Sequence, residues 1–125
     1  MDTLKSCVDL KGVNMSEYFN ELKEFGNSLT YKKEFREILE FCNTLGNEER
    51  LKIIESLNKQ DHCVCELEVI LGKSQSTVSH HLRELEKIDL IRGWKKGKFT
   101  HYVIIQEKLD YYLNLICQKY RKTDS

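Results

Sequence analysis

The sequence predicts a mainly α-helical fold with one small β-hairpin. Three observations carry that expectation. Apolar residues recur at intervals of three and four through most of the chain; a single pair of β-branched and aromatic runs flanks Lys96-Gly97-Lys98; and no proline interrupts the helical runs. A chain of 125 residues is one domain's worth of sequence, long enough to bury a core.

Taken in order, Asn14 followed by Glu17 has the form of a capping box. Tyr18, Phe19, Leu22 and Phe25 then share a helical face until Gly26-Asn27, where the helix is expected to end. A second helix is expected from about Lys32 to Thr44, with Phe35, Ile38, Leu39 and Cys42 inward and Gly46 as its stop. Asn47 caps a third, with Leu51, Ile54 and Leu57 inward. Val64 to Leu71 reads as a short helix, Gly72-Lys73 as a turn, and Ser74 as the cap of a longer helix to about Lys87 whose Val78, Leu82 and Leu85 face the core. Ile91 to Lys95 and Phe99 to Ile105 form the hairpin. A final helix carries the stripe Leu109, Tyr112, Leu113, Ile116 and Tyr120, long enough to suggest a partner helix. Residues 1–15 read as an N-terminal arm, 16–120 as the folded domain with its terminal helices, and 121–125 as a tail.

Composition narrows the function. Apolar residues at 40% and charged residues at 32% describe a soluble chain, and no apolar run approaches the roughly 18 residues of a membrane span. Met1 to Val13 lacks the continuous apolar block of an export signal, so a cytoplasmic protein is expected, without membrane partners. Five cysteines at irregular spacing do not read as a disulfide framework; in a reducing compartment they are thiols available for metal binding, redox chemistry or packing. Net charge is zero, which by itself argues against a nucleic-acid partner. The distribution of that charge points the other way. Lys73 to Lys98 holds seven cations and three anions, a net of +4, whereas Met1 to Gly72 holds nine cations and fourteen anions, a net of −5. A basic segment on an acidic chain is a localised phosphate footprint.

That segment is helix, glycine turn, helix, then hairpin: a winged helix-turn-helix. The second helix offers Ser74, Gln75, Ser76, Thr77, Ser79, His80 and Arg83 on its polar side. Short polar side chains admit close approach to base edges, Gln pairs bidentately with adenine and Arg with guanine, so this is a sensible recognition helix for double-stranded DNA. Lys95, Lys96 and Lys98 at the hairpin would meet phosphates or the minor groove beside it. His81 is expected to pack or cap, while His62 and His101 read as merely solvated. Cys42 and Cys117 sit on apolar stripes and read as core or interface residues. No oxyanion loop, no glycine-rich phosphate cradle and no cysteine with a histidine and acid partner is visible, so enzymatic activity is not expected, nor an organic cofactor.

These residues resemble the ArsR/SmtB family of metalloregulatory repressors over about residues 45–105. Leu45-Gly46-Asn47-Glu48-Glu49-Arg50-Leu51 is similar to the family's entry to its third helix, Cys63-Val64-Cys65-Glu66-Leu67 to its metal-site motif, and Ser74 through Leu82 to its recognition helix. The resemblance implies a homodimer joined through N- and C-terminal helices that binds an operator and releases it when an inducer binds. Some positions depart from the pattern. Glu48 stands where the family usually has proline, and the last helix offers Gln106, Lys108, Lys119 and Lys122 where zinc sensors need carboxylate and histidine ligands, so that site is not expected. Glu68 stands where arsenic-sensing relatives place a third cysteine.

Cys63 and Cys65, two apart, lie on opposite sides of an ideal helix but on one side of an extended chain, so they can share an ion only where the helix start is unwound. Thiolate pairs suit As(III), Cd(II), Pb(II) and Zn(II), and a complete site needs three or four ligands. Cys7, in the arm, is the best supplement, as arm ligands from the other subunit are in cadmium- and lead-sensing relatives; Cys42 or a non-sulfur group is the alternative. The competing expectation within the same fold is a redox or sulfur-species sensor using the same thiols, and outside it a winged-helix interaction module that has lost DNA binding.

Overall fold

The computed structural model describes residue 3 and residues 14–122. Packing divides the chain into two units, residues 1–36 and 37–125. In the first, α1 spans Met15–Leu29 and is capped as its sequence predicts, the Asn14 side chain accepting from the Glu17 N–H at 3.1 Å. It runs beyond Gly26-Asn27. A glycine inside a helix costs about 1 kcal/mol but does not by itself end it, and the Ser28 hydroxyl donates to the Phe25 carbonyl at 2.8 Å in the last turn. None of the α1 residues is buried, and Phe19, Leu22 and Phe25 are exposed.

Helix α2 (Lys33–Leu45) crosses into the second unit, where Ile38 and Phe41 are buried. Leu39 is 57% exposed and Cys42 is exposed, so the inward stripe differs from the expected one. Phe41 decides the rotation: its ring stacks on Tyr112 at 4.7 Å, and burying an aromatic ring outweighs burying a thiol. Helix α3 (Glu48–Lys59) begins at Asn47, whose side chain accepts from the Arg50 N–H at 3.0 Å. Its buried residues are Ile53, Ile54 and Leu57, while Leu51, expected inward, is 47% exposed.

A two-residue strand β1 (His62–Cys63) leads into α4 (Val64–Leu71). Gly72 then adopts a left-handed backbone at φ +62°, and its N–H closes on the Glu68 carbonyl at 2.8 Å. Glycine is favoured there because a Cβ penalises that region. Ser74 caps α5 (Gln75–Lys87). Leu67 and Leu71 of α4 and Val78, Leu82 and Leu85 of α5 are all core residues. Asp89, at φ +58°, makes the turn out of α5, a conformation the short Asp side chain tolerates, and Leu90 and Ile91 return to the core.

Strands β2 (Ile91–Lys96) and β3 (Phe99–Ile104) pair antiparallel with Lys96 opposite Phe99, leaving Gly97-Lys98 as a two-residue turn. Gly97 has φ +66° and Lys98 does not share the positive sign, as in a type II′ turn. The strand order β1-β3-β2 makes this a three-stranded sheet rather than a lone hairpin, with His62 opposite Tyr102 and Cys63 opposite His101. A strand of two residues has no periodicity to read. Gly93 lies opposite Tyr102, and a Cβ there would come within 2.9 Å of the Tyr102 ring. Ile105, expected in the strand, instead begins α6 (Gln106–Tyr120). Tyr112 is buried, its hydroxyl donating to the Ile88 carbonyl at 3.3 Å; Leu109 and Ile116 pack beside it, and Leu113 and Tyr120 remain exposed. No helix among the described residues is long and apolar enough to cross a membrane.

One polar contact ties three helices together. The Arg50 guanidinium donates through Nε to the Thr44 carbonyl at the end of α2 and through Nη1 to Nδ1 of buried His81 on α5, at 3.2 Å. Arg is a donor only, so His81 must present a bare Nδ1 and be neutral. Burial first, and Arg50 second, hold the His81 imidazole below the usual histidine range; His80 adds to this, while Glu49 and Glu84 oppose it.

Two expectations follow from this packing. The unfolded chain takes up the His81 proton near the ordinary value of about 6.5, above the folded value, so the stabilisation is complete above that pH and is lost as pH falls through the folded value. Thermal midpoints should therefore drop as pH falls below about 7, and the drop should be shallower in His81→Gln; an equally steep acid limb in that variant would contradict the assignment. Gly93→Val should destabilise by about 1–3 kcal/mol in urea unfolding through overpacking against the Tyr102 ring, and Tyr102→Leu in the same chain should recover part of the loss.

Candidate nucleic-acid interface and thiolate site

Burial of Val78, Leu82 and Leu85 on one side of α5 decides which side chains the helix offers to solvent. Gln75, Ser76, His80 and Arg83 are exposed, and Thr77 and Ser79 half-buried. Ser74, also exposed, serves the helix itself: its hydroxyl accepts from the Thr77 N–H at 3.4 Å, donates to Thr77 Oγ1 at 3.0 Å and lies 3.2 Å from Ser76 Oγ. The open polar face is thus Gln75, Ser76, Ser79, His80 and Arg83. His80 and His81, adjacent in sequence, have opposite surroundings, one in solvent and the other held by Arg50.

The basic segment sorts into paired and unpaired cations. Lys73 lies 3.7 Å from the Glu49 carboxylate and Lys87 bonds Glu84 at 2.8 Å. Backbone bonds first, and Lys73 after them, hold the Glu49 carboxyl below its ordinary range, and the Lys87 bond does the same for Glu84. Arg83, Arg92, Lys95, Lys96 and Lys98 are exposed and form no ion pair among the described residues. The unpaired positive charge therefore lies on the outer side of α5 and along the hairpin. These two elements pack against each other and are joined by only Ile88 to Leu90.

The thiols lie where β1 meets α4. Cys63 ends β1 and is the N-cap of α4, with extended backbone at φ −84° and ψ 165°. Cys65 is the second residue of the helix and is exposed. The chain thus leaves its extended conformation between the two cysteines. Glu66 Oε1 accepts from the Cys63 N–H at 3.0 Å, the glutamate half of a capping box, with cysteine at the N-cap where serine or threonine usually stands. That bond, with the Cys63 side chain second, lowers the Glu66 carboxyl below its usual range.

The sheet places groups beside Cys63 that the sequence pattern marks only as solvated. His101 is its cross-strand neighbour and bonds Asp61 Oδ2 through Nδ1 at 3.0 Å; on the far side of β3, Trp94 faces the same His101 ring at 5.7 Å. Cys63, His101 and Trp94 thus occupy one row across the three strands. His62 is buried, with Nδ1 unbonded and 3.6 Å from Glu66. Finding this row from sequence needs the register of a two-residue strand with a partner far along the chain, and no local pattern supplies it. Cys42 and Cys117 are both exposed, so of the two expected places, core or interface, they do not occupy the core. Cys7 lies outside the described residues.

As a donor set, Cys63 and Cys65 suit a soft ion, with one sulfur on non-helical backbone and the other on the first helical turn. Among the described residues no cluster of three or more metal-binding side chains forms. The pair fits part of a thiolate site that another donor must complete.

Three similar proteins place this geometry. The cadmium resistance transcriptional regulatory protein CadC of Listeria innocua serovar 6a is 39% identical over 77 residues, which are 61% of this chain and 62% of that protein, so the chain matches under two thirds of its length. The arsenical resistance operon repressor of Staphylococcus xylosus is 31% identical over 77 residues, 62% of this chain and 74% of that protein. The solved structure of HlyU from Vibrio cholerae N16961 superposes with a TM-score of 0.60 at 25% identity, covering 73% of this chain and 99% of its own. These likenesses are to regulators rather than to enzymes. The family model for bacterial regulatory proteins of the arsR family matches residues 47–92, from the cap of α3 through α4 and α5 to the start of β2. By that match, by the kinship with the staphylococcal repressor and by the helix-turn-helix with its hairpin, the chain belongs to the arsR family of regulatory proteins.

Proposed function

We propose that this protein is a cytoplasmic, homodimeric repressor that binds double-stranded operator DNA through α5 and the hairpin, and that a soft metal or metalloid ion at Cys63 and Cys65 releases it. The observation that carries the reading is the position of Cys63: it is the N-cap residue of the helix that packs against the recognition helix. The names of the cadmium and arsenical resistance relatives support an ion of the Cd(II), Pb(II) or As(III) class.

On this reading Gln75, Ser76, Ser79, His80 and Arg83 meet base edges and nearby phosphates, and Lys95, Lys96 and Lys98 meet the backbone. Cys63 and Cys65, completed by Cys7 from the partner subunit, hold the ion, which supplies strong bonds to deprotonated sulfur. Cys63 belongs both to the ion site and to the start of α4, so an ion that reorients its sulfur acts on the residue whose N–H is held by Glu66. The helix start must then rotate or fray, and α4 transmits that change through Leu67 and Leu71 to Val78 and Leu82 of α5. A coupling of about 1–3 kcal/mol, or about 5- to 150-fold in DNA affinity, is the usual size of such an effect. The exposed apolar residues of α1 (Phe19, Leu22, Phe25) and of α6 (Leu113, Tyr120) support dimerisation through both terminal helices.

The decisive measurement is a gel shift with reduced protein. A specific complex should weaken steeply between low and moderate salt, and Cd(II) should dissociate it. In Cys63→Ser/Cys65→Ser the complex should form normally and resist Cd(II); release of that variant by the ion would refute the site. Trp94 is the sole tryptophan and shares a sheet row with Cys63, so Cd(II) should perturb its emission in the parent and not in the double variant. Cys7→Ser should lower the number of sulfurs bound per ion by one. Leu113→Glu should shift sedimentation from dimer towards monomer and reduce operator affinity with it; a monomeric parent protein would refute the dimer.

A further inference from the structure

The exposed apolar side chains of this protein lie chiefly on helices, but one stands alone at the tip of the hairpin. Phe99 is 52% exposed, it is the first residue after the Gly97-Lys98 turn, and its neighbours are Lys95, Lys96 and Lys98. We infer that Phe99 is a DNA contact, packing its ring against deoxyribose and base edges in the minor groove while the lysines on either side hold the phosphates. The inference rests on the proposed DNA-binding role and extends it to a residue that acts without charge.

The register gives Phe99 its direction. Residues directly opposite in an antiparallel pair project to the same face, and the face alternates along each strand. Tyr102 and Ile104 pack on the core, and Gly93, opposite Tyr102, shares their face. Trp94 and His101, one position along, face each other on the outer side. Two further positions bring Lys96 and Phe99 to that same outer face, away from the face that packs on the core. The tip is also narrow. Its turn is two residues long, one of them glycine, and a Cβ on Gly97 would meet nothing within 4 Å.

Charge selects the occupant. None of the three lysines forms an ion pair among the described residues, although Lys73 and Lys87 elsewhere in the basic segment do. A single exposed apolar residue is ordinary on a protein surface; what sets Phe99 apart is its place among three lysines without ion pairs among the described residues. A polyanion with apolar sugar and base surfaces between its phosphates satisfies both features. The minor groove of B-DNA, about 6 Å wide, admits an apolar side chain flanked by cations.

A charged contact and an apolar one differ in their response to salt. Lysine contacts release counterions, whereas ring packing does not, so the two are separable on a plot of log affinity against log salt. The probe is a fluorescein-labelled duplex enriched from a randomised library by the parent protein, read by anisotropy at several salt concentrations. Phe99→Ala should weaken binding about tenfold at every salt concentration with the slope unchanged, whereas Lys96→Ala and Lys98→Ala should each reduce the slope by about one. Phe99→Leu should retain most of the affinity, and matching Trp94 emission among the variants would show that the sheet is intact. Parent affinity in Phe99→Ala would overturn the inference, as would a loss confined to low salt. Unaltered DNA affinity together with Phe99-dependent binding to phosphatidylserine vesicles would assign the tip to a membrane surface and overturn it as well. A parent protein that forms no salt-sensitive DNA complex would overturn the DNA-binding role itself.

Discussion

The apolar seam between α4 and α5 is the constraint on which the rest of the molecule depends. Leu67 and Leu71 on one side, with Val78, Leu82 and Leu85 on the other, are removed from water almost completely. Burying side chains of this size stabilises by about 1.5–3 kcal/mol each. That burial fixes the rotation of α5 about its axis, and with it the outward side chains. Gln75, Ser76, His80 and Arg83 are exposed because the opposite face has no other place to go. The left-handed turn at Gly72 sets the angle between the helices, so the polar face is held by a rigid scaffold rather than by a loop.

A second restraint is polar. Arg50 joins the end of α2 to His81, which lies one residue from exposed His80. Because the contact requires neutral His81, the support behind the recognition helix is sensitive to acid although nothing on its outer surface need be. Tyr112 acts similarly for the last helix, stacking on Phe41 and bonding the Ile88 carbonyl where α5 ends. Burial raises its phenol above the usual range, with Glu40 and Glu37 adding to the effect, so this bond persists through the range in which His81 titrates.

Sequence alone was most legible where local rules and tertiary packing agree. The bounds of α4 and α5, the Gly72 turn, the Asn47 and Ser74 caps and the glycine turn of the hairpin all follow from backbone preferences that need no partner. Helix rotation was less legible. In α2 the stripe through Leu39 and Cys42 is as periodic as the one through Phe41, and only the distant Tyr112 ring selects between them. The row Cys63, His101 and Trp94 was illegible for the same reason in stronger form, since it exists only once β1 finds β3. The chemistry of the thiols could be read from their spacing, whereas their surroundings could not.

Those surroundings give Cys63 two mechanical connections rather than one. Through its backbone it begins α4, and so bears on the seam and on α5. Through the sheet it neighbours His101, which is braced by Asp61 and faces Trp94, and β2 continues from Trp94 to Lys95 and Lys96. A conformational change at one residue can thus bias both halves of the proposed DNA surface, the helix through packing and the hairpin through cross-strand contacts. Two-state responses of this kind require contiguous packed elements with alternative arrangements, and the start of α4, held by the bond from the Cys63 N–H to Glu66, is the element at which the proposed ion would act. A thiol in the capping position suits it. Sulfur is a weak hydrogen-bond acceptor, so a cysteine at the N-cap ties the first turn of α4 less firmly than serine would, and on the proposed reading the ion is bound at that same residue.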